Sequence, residues 1–235
     1  MRDNKSYYDT FSQTYDHGRD AGYHAFLDEA EVALVAPHAR GKSVLEVGCG
    51  TGLILERLSR IASRAAGVDL SPGMLDKARQ RGLDVHEASA TALPFEDASF
   101  DVACSFKVLA HVAEIQTAMA EMARVVRPGG RVVAEFYNAS SIRALVKRLG
   151  PSGDIGASGD TDESDVFTRF DTLADIEGYL PPTLKLDRVD GIRVLTPMAG
   201  MFKVPGWASV ERLAMKTPLR RVGGFLVVTL ERLDG

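Results

Sequence analysis

Cysteine is scarce. The 235 residues include two, Cys49 and Cys104, with no C-x-x-C pair and no His/Cys cluster at metal-ligand spacing. That pattern argues against a disulfide framework or a zinc site, so no metal is expected, and it fits two reduced thiols in a cytoplasmic protein. No stretch approaches the ~18 consecutive apolar residues of a membrane helix. The opening segment MRDNKSYYDTFSQTYD is polar and acidic, unlike a secretory signal. Positive charge is not in excess either: 28 Lys and Arg face 32 Asp and Glu, a net charge of -4. Nothing in that balance calls for a polyphosphate partner. The expectation is a cytoplasmic chain with no nucleic-acid and no membrane partner, as a monomer or a homodimer.

What is present is alternation. Short apolar runs at 43–48, 65–70, 83–89, 100–106 and 131–137 read as strands. Between them, 54–64, 72–82 and 115–126 carry helical periodicity; Pro72 suits a helix start and Gly82 a stop. Such alternation means right-handed βαβ units and a parallel sheet covered on both faces. Arg127-Pro128-Gly129-Gly130 reads as a turn. After Asn138 the order weakens: 140–150 is a short basic amphipathic helix, and the Gly/Ser/Asp-rich run 151–165 is a mobile loop by composition. A helix at 172–180 and strands at 184–195 and 223–232 follow, and these late strands suit an antiparallel edge.

The densest signal is VLEVGCGTGL (44–53), with three glycines in five residues straight after an apolar run. A strand ending in a glycine turn that opens a helix can aim backbone N–H groups at a ligand. The dinucleotide fingerprint G-x-G-x-x-G would need glycine at position 53, which is Leu53. Glu46 on the strand would repel a pyrophosphate and suits an ammonium. Asp69, 19 residues after Gly50, ends the second strand, where a carboxylate can accept both hydroxyls of a ribose. An adenosine without phosphates joined to an amino acid satisfies both demands, and S-adenosylmethionine is that molecule.

VLEVGCGTG, GVDLSPGMLDKAR, ATALPFEDASFDVACSF, LAHV and RVVRPGGRVV, in that order, resemble the motifs of class I S-adenosylmethionine-dependent methyltransferases. The likeness is to their small-molecule, quinone-biosynthesis-like branch and is close over residues 40–137. It implies a Rossmann-like α/β fold with a seven-stranded, mostly parallel sheet, helices on both faces and an antiparallel C-terminal edge. It also implies one domain over 1–235: an N-terminal helical lid (1–40), a cofactor-binding core (41–137), an insertion (138–170), and a C-terminal helix with edge strands (171–235). S-adenosylmethionine would be the cofactor and S-adenosylhomocysteine its product. By the resemblance, Gly48, Cys49 and Gly50 give backbone to the methionine part and Glu46 supports its amine. Asp69 binds the ribose, Leu70 and Met74 line the adenine, Ala90 and Thr91 reach its edge, and Phe106 lies near the reactive end. Ser89 stands where relatives often have an acid, and Lys107 where they commonly have an aromatic residue.

Tyr8, Phe11 and Tyr15 form an aromatic stripe at i, i+3 and i+7, and Tyr15 is the expected cofactor contact. His111, in LAHV, is either a general base toward the methyl acceptor or a structural residue. The acceptor pocket is expected from the lid, 106–111, 137–149 and 194–207, where Met198, Met201, Phe202 and Trp207 offer apolar surface or simply pack. Lys147, Arg148, Arg169, Arg220 and Arg221 would recognise a substrate anion or form a solvated face. The expected function is methyl transfer to O, N or C of a small organic molecule, mainly by in-line alignment. A catalytically inactive cofactor-binding regulator and a protein or nucleic-acid methyltransferase stay open as alternatives. An NAD(P)-dependent reductase is disfavoured by Leu53.

Overall fold

The computed structural model describes residues 4–19, 21–141, 144, 167–196 and 198–234. Apolar runs without alternation become central strands, because a strand covered by helices on both faces buries every side chain. Val44, Leu45 and Val47 of β1 (Ser43–Val47) are each 0% exposed. The other strands are β2 (Arg64–Asp69), β3 (Asp84–Glu87), β4 (Phe100–Ser105), β5 (Val126–Tyr137), β6 (Leu184–Ile192) and β7 (Phe225–Arg232). They form one seven-stranded sheet in the order β3-β2-β1-β4-β5-β7-β6. The pairs from β3 across to β5 are parallel. The last strand, β7, enters antiparallel between β5 and β6. The sheet is thus the mixed Rossmann-like one expected, and its order reverses between β1 and β4, where α/β sheets open a ligand crevice above the strand ends.

Among the described residues the named helices flanking the sheet are α1 (Asn4–Phe11), α2 (Gly22–Ala39), α3 (Leu53–Ser59), α4 (Pro72–Gln80), α5 (Ile115–Val125), α6 (Leu173–Tyr179) and α7 (Trp207–Met215). One face packs Met119 and Met122 of α5 and Ile176 of α6 against Leu45, Phe100 and Phe136. The other packs Phe26, Leu27 and Val35 of α2 against Val44, Val102, Cys104 and Val133. Strand alternation then has a chemical consequence. Glu46 shares the α2 face with Val44, and Glu135 shares it with Val133. Among the described residues no helix is long and apolar enough to cross a membrane.

Two sequence expectations change. Arg127–Gly130 is no separate turn: β5 starts at Val126 and carries these residues as an irregularity, its register slipping opposite Phe100/Val102. Gly130 lies so close to β4 that a β-carbon there would sit 2.5 Å from the Asp101 carbonyl oxygen, and this contact keeps the run within the strand. The stretch 194–207 packs behind the sheet. Phe202 meets Phe26 with ring centroids 4.8 Å apart, Trp207 Nε1 donates to Thr196 Oγ1 at 2.9 Å, and Met198 is 56% exposed. The 151–165 loop, most of the 140–150 helix, Lys147 and Arg148 lie outside the described residues.

The near ends of β1 and β4 are stitched by Asp101, whose Oδ2 accepts from Ser43 N and Ser43 Oγ, both at 2.8 Å, while Arg127 lies 3.0 Å from Oδ1. Partial burial pushes this carboxyl up, but the two Ser43 donors and Arg127 outweigh it and hold it below its ordinary range. A depressed carboxyl stabilises the fold above its unfolded pKa, and that contribution is lost as pH falls through the folded one. Asp101→Asn should therefore cost about 1–2 kcal/mol near pH 7 in urea unfolding, with the gap to wild type closing as pH falls below the ordinary carboxyl range.

Candidate active site

The glycine turn between β1 and α3 owes its composition first to the protein's own packing. Gly48, Gly50 and Gly52 all have left-handed backbones, with φ of 77°, 53° and 85°. A β-carbon on Gly48 would overlap the Val108 side chain, and one on Gly52 would overlap Leu83. The amides of Gly48 and Cys49 both donate to the Val68 carbonyl, at 2.7 and 2.9 Å, and Gly50 N–H donates to Asp69 Oδ2 at 2.9 Å. The N–H groups expected to face a ligand are therefore consumed by β2. That leaves carbonyl oxygens on the turn, which suit a cationic ligand and not a phosphate.

Asp69 Oδ1 accepts from Ser71 N–H at 2.9 Å, so the carboxylate fixes the turn through one oxygen and the start of α4 through the other. Burial raises its pKa, while the amides of Ser71, Gly50 and Leu70 pull the other way. Three amides leave part of the carboxylate's acceptor capacity open to a ligand hydroxyl.

A cavity of about 290 Å³ opens above the strand tips. The turn contributes Gly48 and Gly50, and β2 and α4 contribute Asp69, Leu70 and Met74. Ser89, Ala90 and Thr91 follow β3, and Phe106 and His111 come from the segment after β4. Ser89 Oγ is engaged locally, 2.7 Å from Thr91 Oγ1 and accepting from Thr91 N–H at 3.2 Å, so it shapes this turn. Two expected residues are elsewhere. The Cys49 side chain packs with Leu55 and Leu75 between α3 and α4, and Glu46 is buried below the floor at 2% exposure.

The N-terminal segment covers the cavity, and Tyr8 and Tyr15 line it. Asp9 Oδ1 accepts from Gly73 N–H at 2.7 Å at the start of α4. Asp16 accepts from Thr51 Oγ1 at 2.6 Å and pairs with Arg81 at 2.8 Å. The Arg19 guanidinium lies 4.4 Å from the Tyr15 ring centroid. Desolvation raises the Tyr15 pKa, with Arg19 opposing.

His111 sits in a short 3-10 turn, Leu109–His111. Its Nδ1 is 2.8 Å from the Phe167 carbonyl, and its ring lies edge-on to Tyr8 and Tyr137. A carbonyl partner only accepts, so the proton sits on Nδ1 and Nε2 is the basic nitrogen. Lys107 lines the cavity too, in a left-handed backbone at φ 60°. Its Nζ reaches down to Asp28 Oδ1 at 3.1 Å and Glu31 at 2.9 Å, both on α2.

The family described as a methyltransferase domain matches residues 45–134. Over residues 45–134 the chain is thus similar to a methyltransferase domain. A malonyl-[acyl-carrier protein] O-methyltransferase from Erwinia billingiae is 31% identical over 72% of the chain and 65% of its own length. A ubiquinone/menaquinone biosynthesis C-methyltransferase from Brucella anthropi is 36% identical over 54% of the chain and 53% of its own length. The chain spans 32% and 42% of the length of two other curated relatives, a Streptomyces fradiae transposon protein and a Serratia marcescens malonyl-[acyl-carrier protein] O-methyltransferase. The fold extends further. A Thermotoga maritima structure described as a possible histamine N-methyltransferase aligns over 97% of the chain and 98% of its own, at TM-score 0.68 and 18% identity. A chain of the complex between the Haloferax volcanii Trm112 methyltransferase activator and a putative methyltransferase aligns over 100% of both, at TM-score 0.70 and 21% identity.

Three lining residues lacked a reading in the sequence: Ala113 and Glu114, in the short link before α5, and Phe167, which follows a polar run with no periodicity. Of the arginines considered for an anionic substrate, Arg169 is committed to Asp171 and to the carbonyls of Leu109 and Val112, and Arg220 to the Val189 carbonyl. Gly48→Ala should destabilise the fold by about 2–4 kcal/mol in urea unfolding, through positive-φ strain and overlap with Val108. Gly82→Ala, also at positive φ but with open space around it, should cost only about 1 kcal/mol.

Proposed function

We propose that the chain transfers a methyl group from S-adenosylmethionine to an O, N or C atom of a small organic molecule. The observation that carries this reading is a single cavity joining a doubly anchored Asp69 carboxylate to a glycine turn whose amides are already satisfied. That combination offers acceptors to a ribose and an ammonium and few donors to a phosphate. The fit extends to Glu46, whose buried Oε2 accepts no hydrogen bond among the described residues.

In this reading Asp69 holds the ribose hydroxyls, and Glu46 with the turn carbonyls balances the ammonium. Leu70, Met74, Ala90 and Thr91 enclose the adenine, and Tyr15 and Phe106 shield the reactive end. The bound donor supplies an electrophilic methyl on a sulfonium, so alignment in a dry cavity carries most of the rate enhancement. His111, with its proton fixed on Nδ1, takes a proton from the acceptor at Nε2. The names of the quinone-biosynthesis and malonyl-carrier relatives support small-molecule chemistry, and the two reduced thiols support a cytoplasmic setting.

Turnover of labelled S-adenosylmethionine with extracts of the producing cell, followed by mass identification of the labelled product, tests the activity. An inactive regulator would bind S-adenosylhomocysteine yet methylate nothing. Asp69→Ala should weaken S-adenosylhomocysteine binding by about 1–3 kcal/mol in calorimetric titration, and an unchanged dissociation constant would refute the ribose assignment. His111→Ala should lower kcat by about 10²–10⁴-fold with cofactor affinity intact, and a normal rate would leave His111 a structural residue.

A further inference from the structure

We infer that Glu46, buried beneath the cavity with no cation of its own, is completed by a ligand's ammonium with release of one proton. The inference rests on the methyl-donor reading above. It concerns how that donor's charged end is received.

Strand alternation brings Glu46 and Glu135 to the α2 face, where α2 lowers Asp28 and Glu31 onto them. All four are 2% exposed or less. Three cations reach the cluster. Lys107 Nζ lies 3.1 Å from Asp28 and 2.9 Å from Glu31, Arg19 lies 3.2 Å from Asp28, and Arg57 lies 3.7 Å from Asp28. Every one of these contacts goes to α2. Glu135 receives the Lys107 backbone N–H at 3.1 Å, and the Oε2 atoms of Glu46 and Glu135 accept no hydrogen bond among the described residues.

A buried carboxylate without a partner costs several kcal/mol, roughly, and takes up a proton instead. The surroundings of Glu46 favour that outcome from every side. Asp28 and Glu31 face it from α2, Asp69 from the end of β2, and Lys107, from the segment after β4, is the one opposing charge. Cys49 and Cys104 beside it are held as neutral thiols by burial. Desolvation first, then Glu31, pushes Glu46 well above the ordinary carboxyl range; Glu135 is raised by burial and by Glu31, to which its side chain also hydrogen-bonds, so its proton belongs to that pair. Arg19 and Arg57 are committed to Asp28 and do not relieve it.

The cavity floor above the cluster includes Gly48, two residues beyond Glu46, and Lys107, whose ammonium already enters the cluster. A second ammonium arriving on this floor supplies the missing charge. The Glu46 O–H bond breaks, its proton goes to solvent, and an ammonium–carboxylate pair remains. Binding thus lowers the Glu46 pKa, so protons are released and affinity rises with pH, up to tenfold per unit for one whole proton. The window runs from the bound-state pKa up to the raised free-state one.

Calorimetric titration of the full chain with S-adenosylhomocysteine, at several pH values between about 6 and about 8 and in two buffers of different ionisation enthalpy, tests this. The comparison ligand is 5′-methylthioadenosine, which keeps the nucleoside and lacks the ammonium. The expected result is release approaching one proton and severalfold tighter binding per pH unit for S-adenosylhomocysteine, with a flat profile for methylthioadenosine. Glu46→Gln should abolish the release; if that variant does not fold, the two-ligand comparison on wild type decides by itself. Binding of S-adenosylhomocysteine with no proton exchange overturns the inference and leaves the methyl-donor reading standing, as does equal release with both ligands. Failure of S-adenosylhomocysteine to bind at any pH removes both.

Discussion

Two neighbouring amides, those of Gly48 and Cys49, share one acceptor, the Val68 carbonyl, and the next amide donates to Asp69. This lock ties the turn after β1 to the end of β2 and sets the three left-handed glycines that start α3. These three amides are thus spent on protein, whereas a loop free to offer its N–H groups would suit an anion. Because Asp69 is anchored at both oxygens, it presents its remaining lone pairs in fixed directions.

Below this turn the fold tolerates a group of ionisable side chains in the interior. Buried ion pairs seldom add stability relative to apolar residues of similar size, so Asp28, Glu31, Glu46, Glu135 and Lys107 are poorly explained as a stabilising device. The left-handed Lys107 points the same way: it holds a backbone conformation costing about 1–3 kcal/mol in a non-glycine residue, at the cavity floor. Its Nζ ties the segment after β4 to α2, and Arg19, beyond the Tyr15 ring, ties the covering segment to the same Asp28. Lid, floor and helix therefore meet at one carboxylate.

Much of this was legible in the sequence. The strands from β1 to β5 and the helices between them came within a few residues, since each was a continuous apolar run or a helical stripe bounded by glycine or proline. Eleven of the residues expected at the site do line the cavity, because strand tips in a parallel sheet converge whatever the side chains between them. What failed had physical causes. The donor role assigned to Gly48–Gly50 assumed an unsatisfied turn, and a hydrogen bond to a distant carbonyl leaves no trace in composition. Asp28 and Glu31 drew no attention in the sequence, since acids are rarely buried and their partner Lys107 lies 79 and 76 residues away. The stretch 194–207 could be read either as substrate surface or as packing, and Phe202 against Phe26 agrees with the packing alternative.

The division between what sequence likeness covers and what it does not follows the same geometry. Residues 45–134 hold the glycine turn, Asp69, the Ala90–Thr91 turn, Phe106 and His111, so the part matched by the family is the part that must fit one unvarying donor. Tyr8, Tyr15 and Phe167 complete the cavity from outside that span. Phe167 also supplies the carbonyl 2.8 Å from His111 Nδ1, so an element beyond the matched core orients that ring. A donor site can be shared among enzymes that methylate different compounds while the covering segments are exchanged. In this chain the covering residues Tyr8, Tyr15 and Phe167 lie where likeness to solved structures is one of fold alone.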